Sequence, residues 1–293
     1  MDELSLHGRT CVVTGASSGI GLETARALAA RGAVVGMVCR SAPRGEAAMR
    51  SIRDGLPEAR LRLFLADLSS QRDVRRVAAE VEARLPELDV LVNNAGLVSR
   101  DLRTGEDGVE LQFATNYLAV YLLSTLLTGT LVRNAPARIV NVASGVHGRA
   151  RMDWDDLAAP RSYNAFQAYA RSKFAVIAHT AALGRRLAGT GVTVNAVEPG
   201  LTRTALLDDA GVGAFRLVRR FLRFAPTADE AARHCVRLAC DPELASVTGA
   251  YFRRAKQATA AAPTRDPETQ ARLERLSAEL TGSTRPSTRE RNP

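Results

Sequence analysis

The chain has 293 residues, 46% of them hydrophobic, and its 40 lysines and arginines outweigh 31 acids to give a net charge of +9. That length fits one large α/β domain or two small ones, and the composition excludes a disordered or fibrous chain. The positive balance comes without an aromatic-interleaved basic stripe, zinc-finger spacing or RNA-binding signature, which argues against nucleic acid and for a phosphorylated or otherwise anionic small ligand.

Met1 to Arg9 is polar and acidic at its start and leads directly into an apolar run, which predicts no secretory signal and a cytoplasmic protein. Hydrophobic periodicity then predicts a strand over Thr10 to Thr14, a helix over Gly19 to Ala30, a strand over Ala33 to Cys39 and a helix over Gly45 to Asp54. Next come a strand at Leu61 to Leu65, a helix at Gln71 to Arg84, a strand at Asp89 to Asn93, a long helix near Val109 to Arg133 and a strand at Arg138 to Ala143. A helix around Phe166 to Ala188, the strand Val192 to Val197, a helix near Asp229 to Cys240 and a short strand around Ala250 to Phe252 follow. The most apolar stretch, Leu118 to Val132, is too short to span a bilayer and carries Tyr121, Ser124, Thr125 and Thr128, so it reads as a buried helix. Short apolar strands joined by helical crossovers imply a doubly wound, Rossmann-type parallel sheet with helices on both faces, in a single α/β domain.

Between the first strand and first helix lies a turn containing Gly15, Ser17, Ser18, Gly19, Ile20 and Gly21. Glycines there permit a tight turn, and the backbone and helix N-terminus can approach a pyrophosphate closely. At the end of the second strand an acid would bind a ribose 2′-hydroxyl and an arginine a 2′-phosphate. This chain has Arg40 there, no carboxylate, and Arg44 close behind, which predicts NADP(H) with Arg40 as the principal phosphate ligand. The four cysteines, Cys11, Cys39, Cys235 and Cys240, have no metal-type spacing even with His234, so reduced thiols and no metal site are expected.

Lysine is nearly absent, with only Lys173 and Lys256 present, yet Lys173 stands four residues after Tyr169. On a helix that spacing shares a face, and a nearby ammonium would lower the tyrosine pKa toward that of a general acid or base. Taken alone, such a pair is more commonly an aromatic and a lysine that share a solvated helix face.

Together these residues resemble the short-chain dehydrogenase/reductases, and within them the retinol-dehydrogenase-like branch, over about residues 8 to 282. The resemblance rests on the turn Thr14 to Gly21, on Asp67-Leu68-Ser69, on Asn93-Asn94-Ala95-Gly96, on Thr104 to Phe113 followed by Asn116, and on Gly249-Ala250-Tyr251-Phe252. It implies a catalytic set of Asn116, Ser144, Tyr169 and Lys173, with Lys173 also binding the nicotinamide ribose. It further implies cofactor contacts at Asp67, Leu68, Asn94, Ala95, Gly96, Pro199, Gly200 and Thr202, hydride transfer between nicotinamide and a carbonyl, and a homodimer or homotetramer through the helices bearing Asn116 and Tyr169. The sequence departs from the branch at Tyr117 to Tyr121 and at Glu198, where histidine is common, so retinoid activity does not carry over with the motifs.

Residues 204 to 226 are expected to cover the substrate pocket. Arg216, Arg219, Arg220 and Arg223 would share one helix face opposite Leu217, Val218, Phe221, Leu222 and Phe224. That face reads as the solvated outside of a lid, as a weak membrane-surface contact through 216–224, or as a docking face for an acidic carrier or anionic substrate. Leu206, Leu207, Phe215 and Phe221 suggest a lipophilic substrate, and Trp154 either lines its pocket or is structural. The expected organisation is a catalytic domain over 1–255, an extension over 256–282 ending in a helix capped by Asp266 and stopped at Gly282, and a disordered tail over 283–293. The leading function is an NADP(H)-dependent reductase or dehydrogenase of a lipophilic carbonyl or secondary alcohol. The alternatives are a non-redox cyclisation, dehydration or epimerisation, or a non-catalytic cofactor-binding protein.

Overall fold

The computed structural model describes residues 5–158, 161–200 and 226–283. Its strands are β1 (Thr10–Thr14), β2 (Val34–Cys39), β3 (Arg60–Leu65), β4 (Leu88–Asn93), β5 (Ala137–Val142), β6 (Val192–Glu198), β7 (Tyr251–Arg253) and β8 (Lys256–Ala258). They form one sheet in the order β3-β2-β1-β4-β5-β6-β7-β8, parallel as far as β7. The strand order reverses between β1 and β4, which opens a crevice at the carboxyl ends of those two strands.

The helices are α1 (Gly19–Ala30), α2 (Ala42–Gly55), α3 (Gln71–Arg84), α4 (Leu111–Arg133), α5 (Ala165–Arg186), α6 (Ala228–Cys240), α7 (Ala262–Arg265) and α8 (Pro267–Thr281). Side chains of β1 alternate between two cores: Cys11 and Val13 pack with α1, α2 and α6, whereas Val12 faces the layer built from α3, α4 and α5. Between β4 and β5, Asn93 Nδ2 donates to Asn141 Oδ1 (2.8 Å) and Ser124 Oγ (3.0 Å), and Asn141 Nδ2 donates to Thr180 Oγ1 (2.9 Å). This buried, fully bonded chain ties two strands to α4 and α5 just below the carboxyl edge.

The structure corrects three expectations. The second helix begins at Ala42, not Gly45, because the Ser41 side chain accepts from the Arg44 amide and Pro43 fits the first turn. Strand β8 was not expected; it pairs antiparallel with β7 through a turn at Arg254 (φ 54°), so the sheet is mostly rather than wholly parallel. Helical backbone runs unbroken for 23 residues over Leu111–Arg133, long enough to cross a membrane, but 72% of its apolar window is buried against protein, so it is a core helix. In the extension from 256, β8 joins the sheet, and α8 packs on α5 with Leu273 fully buried.

The ends of α8 are as expected. Asp266 accepts from the Thr269 amide at 2.8 Å, and Gly282 closes the helix in the left-handed conformation (φ 58°). The expected lid with its arginine face, Thr202, and the tail from residue 284 lie outside the described residues.

Candidate active site

The glycine turn sits at the β1–β4 crevice and leaves no room for a side chain at Gly15 or Gly21. Gly15 (φ 66°) would place a Cβ 2.9 Å from the Ala95 Cα, and a Cβ on Gly21 would overlap the Gly15 carbonyl and the Asn94 side chain. Thr14 Oγ1 accepts from the amides of Asn94 (2.9 Å) and Ala95 (3.0 Å), and Asn94 Nδ2 donates to the Thr14 carbonyl (2.8 Å). The turn is therefore locked to the segment after β4. Ser18 heads α1 without a side-chain cap and no acid follows in the first turn, so these amides face the crevice without a competing carboxylate.

Around this cradle stand the strand-end residues. Arg40 is exposed directly after β2. Arg44, in the first turn of α2, reaches across so that its Nη2 lies 3.4 Å from Ser18 Oγ. After β3, Asp67 Oδ1 accepts from the Ser69 amide (2.9 Å) and hydroxyl (2.7 Å), and Leu68 packs on the core. A cradle closed to a Cβ at Gly15 and Gly21, uncapped helix amides and the Arg44 guanidinium beside Ser18 fit the phosphates of a dinucleotide.

The predicted catalytic residues converge beside it. A single π turn over Ala114–Leu118 in α4 carries Asn116, which is fully buried. Its Oδ1 accepts from the Leu97 amide (2.8 Å), while its Nδ2 donates to the Leu97 carbonyl (2.9 Å) and to Ser172 Oγ (3.1 Å). Ser172 Oγ donates in turn to the Tyr169 carbonyl at 2.8 Å, linking α4 to α5. Lys173, 4% exposed, donates to the Val142 carbonyl at 2.9 Å, two residues before Ser144. A Cβ on Gly96 would stand 3.3 Å from Asn116 Oδ1 and 3.5 Å from Lys173 Nζ, so Gly96 keeps the gap between them open.

Burial, not the lysine, dominates the titration of the tyrosine. It pushes the Tyr169 phenol up to about 12; the Ser144 hydroxyl opposes this by hydrogen bonding and the Glu198 charge adds to it. Burial also draws Lys173 down to about 8. The expected lowering of Tyr169 by Lys173 is thereby corrected: the ammonium lies 5.8 Å from the ring centroid and bonds the Val142 carbonyl instead.

At the end of β6, Pro199 and Gly200 (φ 95°) follow Glu198. Tyr251 Oη donates to the Glu198 carboxylate, Arg253 Nε lies 3.4 Å from the same oxygen, and a Cβ on Gly145 would stand 2.5 Å from the other. Trp154 packs beneath Arg272 of α8, 5.0 Å from guanidinium to ring centroid, and so belongs to the contact with the C-terminal helix. A separate cavity of about 220 Å³ at the N-terminus of α5, lined by Glu110, Phe113, Arg151, Leu157, Tyr163 and Arg171 among others, contains none of the catalytic set.

The sequence reading named neither Thr14 nor His147 as a site residue. Thr14 was visible as the first residue of the glycine motif. His147, one of 4 histidines, follows Ser144 by three positions and bonds its carbonyl at 2.9 Å.

A nucleotide cradle at the switch point of a parallel sheet, with a serine, tyrosine and lysine at the next strand end, defines a Rossmann-type oxidoreductase. The chain belongs to the short-chain dehydrogenase/reductase family, retinol-dehydrogenase-like branch: the short chain dehydrogenase family model matches residues 9–212. Retinol dehydrogenase 13 of Homo sapiens is 39% identical over 292 residues, covering 98% of this chain and 88% of that protein. A crystal structure of an uncharacterized Mycobacterium Paratuberculosis protein aligns with a TM-score of 0.78 at 31% identity over 96% of both chains. A short chain dehydrogenase from Burkholderia cenocepacia J2315 in complex with NADP aligns at 0.68 and 30% identity over 85% of this chain and 96% of that one. Membership makes the protein an oxidoreductase of the alcohol–carbonyl couple.

Proposed function

We propose that the protein is an NADP(H)-dependent oxidoreductase of a lipophilic carbonyl or secondary alcohol, with Tyr169 as its proton donor and acceptor. The observation that carries this reading is the pair Tyr169 and Lys173, one helical turn apart, with the buried lysine bonded to the Val142 carbonyl two residues before Ser144, beside the glycine cradle. The turn from Gly15 to Gly21 and Asn94 to Gly96 would hold the pyrophosphate and neighbouring ribose, and Asp67 and Leu68 the adenine side. Pro199, Gly200 and Thr202 would border the nicotinamide. Arg40 and Arg44, with no carboxylate at the end of β2, support a 2′-phosphate, as does NADP in the Burkholderia neighbour. Similarity to retinol dehydrogenases supports a lipophilic substrate class.

Bound there, the dinucleotide supplies or takes up the hydride. Ser144 donates a hydrogen bond to the substrate oxygen, and Tyr169 gives that oxygen its proton as negative charge develops. Lys173, held by the Val142 carbonyl, keeps a positive charge behind the phenol. Asn116 fixes the Leu97 backbone and, through Ser172, the Tyr169 carbonyl of α5. In the reverse direction the phenolate of Tyr169 takes the proton.

Fluorescence titration of NADPH and NADH tests the cofactor, with Arg40→Ala and Arg44→Ala as controls, and turnover of Tyr169→Phe tests the chemistry. NADPH preference that collapses in the arginine variants is expected. Tyr169→Phe should lose about 100-fold or more in kcat while binding NADPH normally. Equal affinity for both nucleotides, or an active Tyr169→Phe, would sink the corresponding half of the reading.

A further inference from the structure

His147 lies in the tight turn Gly145–Arg149, is 4% exposed and has no role in the chemistry above. Its Nδ1 is 2.9 Å from the Ser144 carbonyl oxygen, and its Nε2 is 3.2 Å from the Ala261 amide nitrogen. A carbonyl only accepts and a backbone amide only donates, so the two contacts together require a neutral imidazole with its proton on Nδ1. Ala261 immediately precedes α7, and the ring therefore bridges the Ser144 turn to the C-terminal segment. Its edge rests against Tyr251, 5.0 Å between centroids; Tyr251 donates to Glu198, whose carboxylate bears on the same turn at Gly145.

We propose that His147 is a positioning residue for Ser144: the neutral imidazole ties the serine's turn to the C-terminal segment, and protonation releases it. The inference rests on the roles given above to Ser144 and Tyr169. Burial disfavours the charged ring most, the Ser144 carbonyl and Glu198 of β6 favour it, and Arg253 of β7 opposes it, which leaves its pKa below the usual 6.5. Among the described residues, the other charged or titratable groups on and around the turn are Arg149 of the turn itself, Arg151 just after it, Tyr251 of β7, Tyr169 and Arg171 of α5, the latter bonded to the Arg151 carbonyl, and Arg265 of α7, bonded to the Ala260 carbonyl. The tie is complete above about pH 6.5 and is lost as pH falls through the lowered value.

The test compares full-length wild type, His147→Gln and His147→Leu in two assays: kcat against pH with NADPH and a lipophilic aldehyde, and hydrogen exchange at the Ala261 amide. A glutamine amide offers one acceptor and one donor but does not titrate. Wild type is expected to lose kcat on the acid side, and His147→Gln to keep its neutral-pH kcat while losing that acid limb. His147→Leu should fall about 100-fold in kcat with NADPH affinity unchanged, and its Ala261 amide should exchange freely. An acid limb that persists in His147→Gln, or an Ala261 amide as protected in His147→Leu as in wild type, overturns the proposal. If wild type reduces no carbonyl, the reductase reading fails on its own account, and Ala261 exchange still decides whether the tie exists.

Discussion

Tyr169 and Lys173 sit one turn apart on α5, and burial moves their titrations in opposite directions, the phenol up to about 12 and the ammonium down to about 8. The phenol consequently keeps its proton across neutral and mildly alkaline pH, which suits carbonyl reduction. Alcohol oxidation needs the phenolate and should rise with pH. Burial holds the phenol up most and the Glu198 charge adds to it, so Glu198→Gln should shift that rise to lower pH. A profile of oxidation rate against pH checks this, and an unmoved limb would show that Glu198 does not reach the reaction centre. The spacing of Tyr169 and Lys173 was legible in the sequence because helical periodicity alone places them together. The direction of the tyrosine shift was not, since burial is a property of packing. Nor were the roles of His147 and Glu198, whose partners Ala261 and Tyr251 lie 114 and 53 positions away.

The glycine turn and the C-terminal helix show what whole elements contribute. Gly21→Ala forces a Cβ into the Gly15 carbonyl and the Asn94 side chain, which separates β1 from the segment after β4. NADPH affinity should drop at least about tenfold, a cost near 1.4 kcal/mol, and an isothermal titration measures it. On α8, Glu274 accepts from His179 Nδ1 (2.8 Å) and Arg186 Nη1 (2.7 Å). Burial would raise its pKa, but the His179 and Arg186 contacts together bring it down to about 2 from an ordinary 4.5. A carboxylate lowered in the fold stabilises it fully above pH 4.5, and this stability is lost as pH falls toward 2, on the order of 3 kcal/mol. Urea unfolding at successive pH values should show that slope in wild type and lose most of it in Glu274→Gln. Helix α8 was readable from its caps, and β1 to β6 from their apolar runs. The π turn and β8 were not: one depends on Asn116 spanning the Leu97 backbone, and the other on pairing with a strand already in place.

Across the whole molecule, α8 lies over the surface through which the family resemblance implied self-association. It contacts α5 at Arg185, Arg186 and His179, α4 at Tyr117, whose hydroxyl meets Ser277 Oγ at 2.6 Å, and α3 through Gln71 and Arg75. Among the described residues, large apolar side chains are exposed only at Leu65, Leu102 and Val132, on β3, in the loop after β4 and on α4. Light scattering on the full chain should therefore give the mass of a monomer, and a dimer that persists on dilution would mean that α8 leaves this surface. The fold also explains why residues so far apart in the chain act together. Every parallel strand from β1 to β6 ends at one edge, and the cradle, Asp67, Gly96, Ser144 and Pro199 all follow those ends.

The central claim is that Tyr169 protonates a carbonyl oxygen while a nicotinamide hydride reaches its carbon. Turnover of a lipophilic aldehyde with C4-deuterated NADPH, followed by mass analysis of the product, tests it most directly. The account predicts an alcohol carrying deuterium on its carbinol carbon with wild type and essentially none with Tyr169→Phe. A product formed without deuterium, or equal labelling by the two proteins, would contradict it.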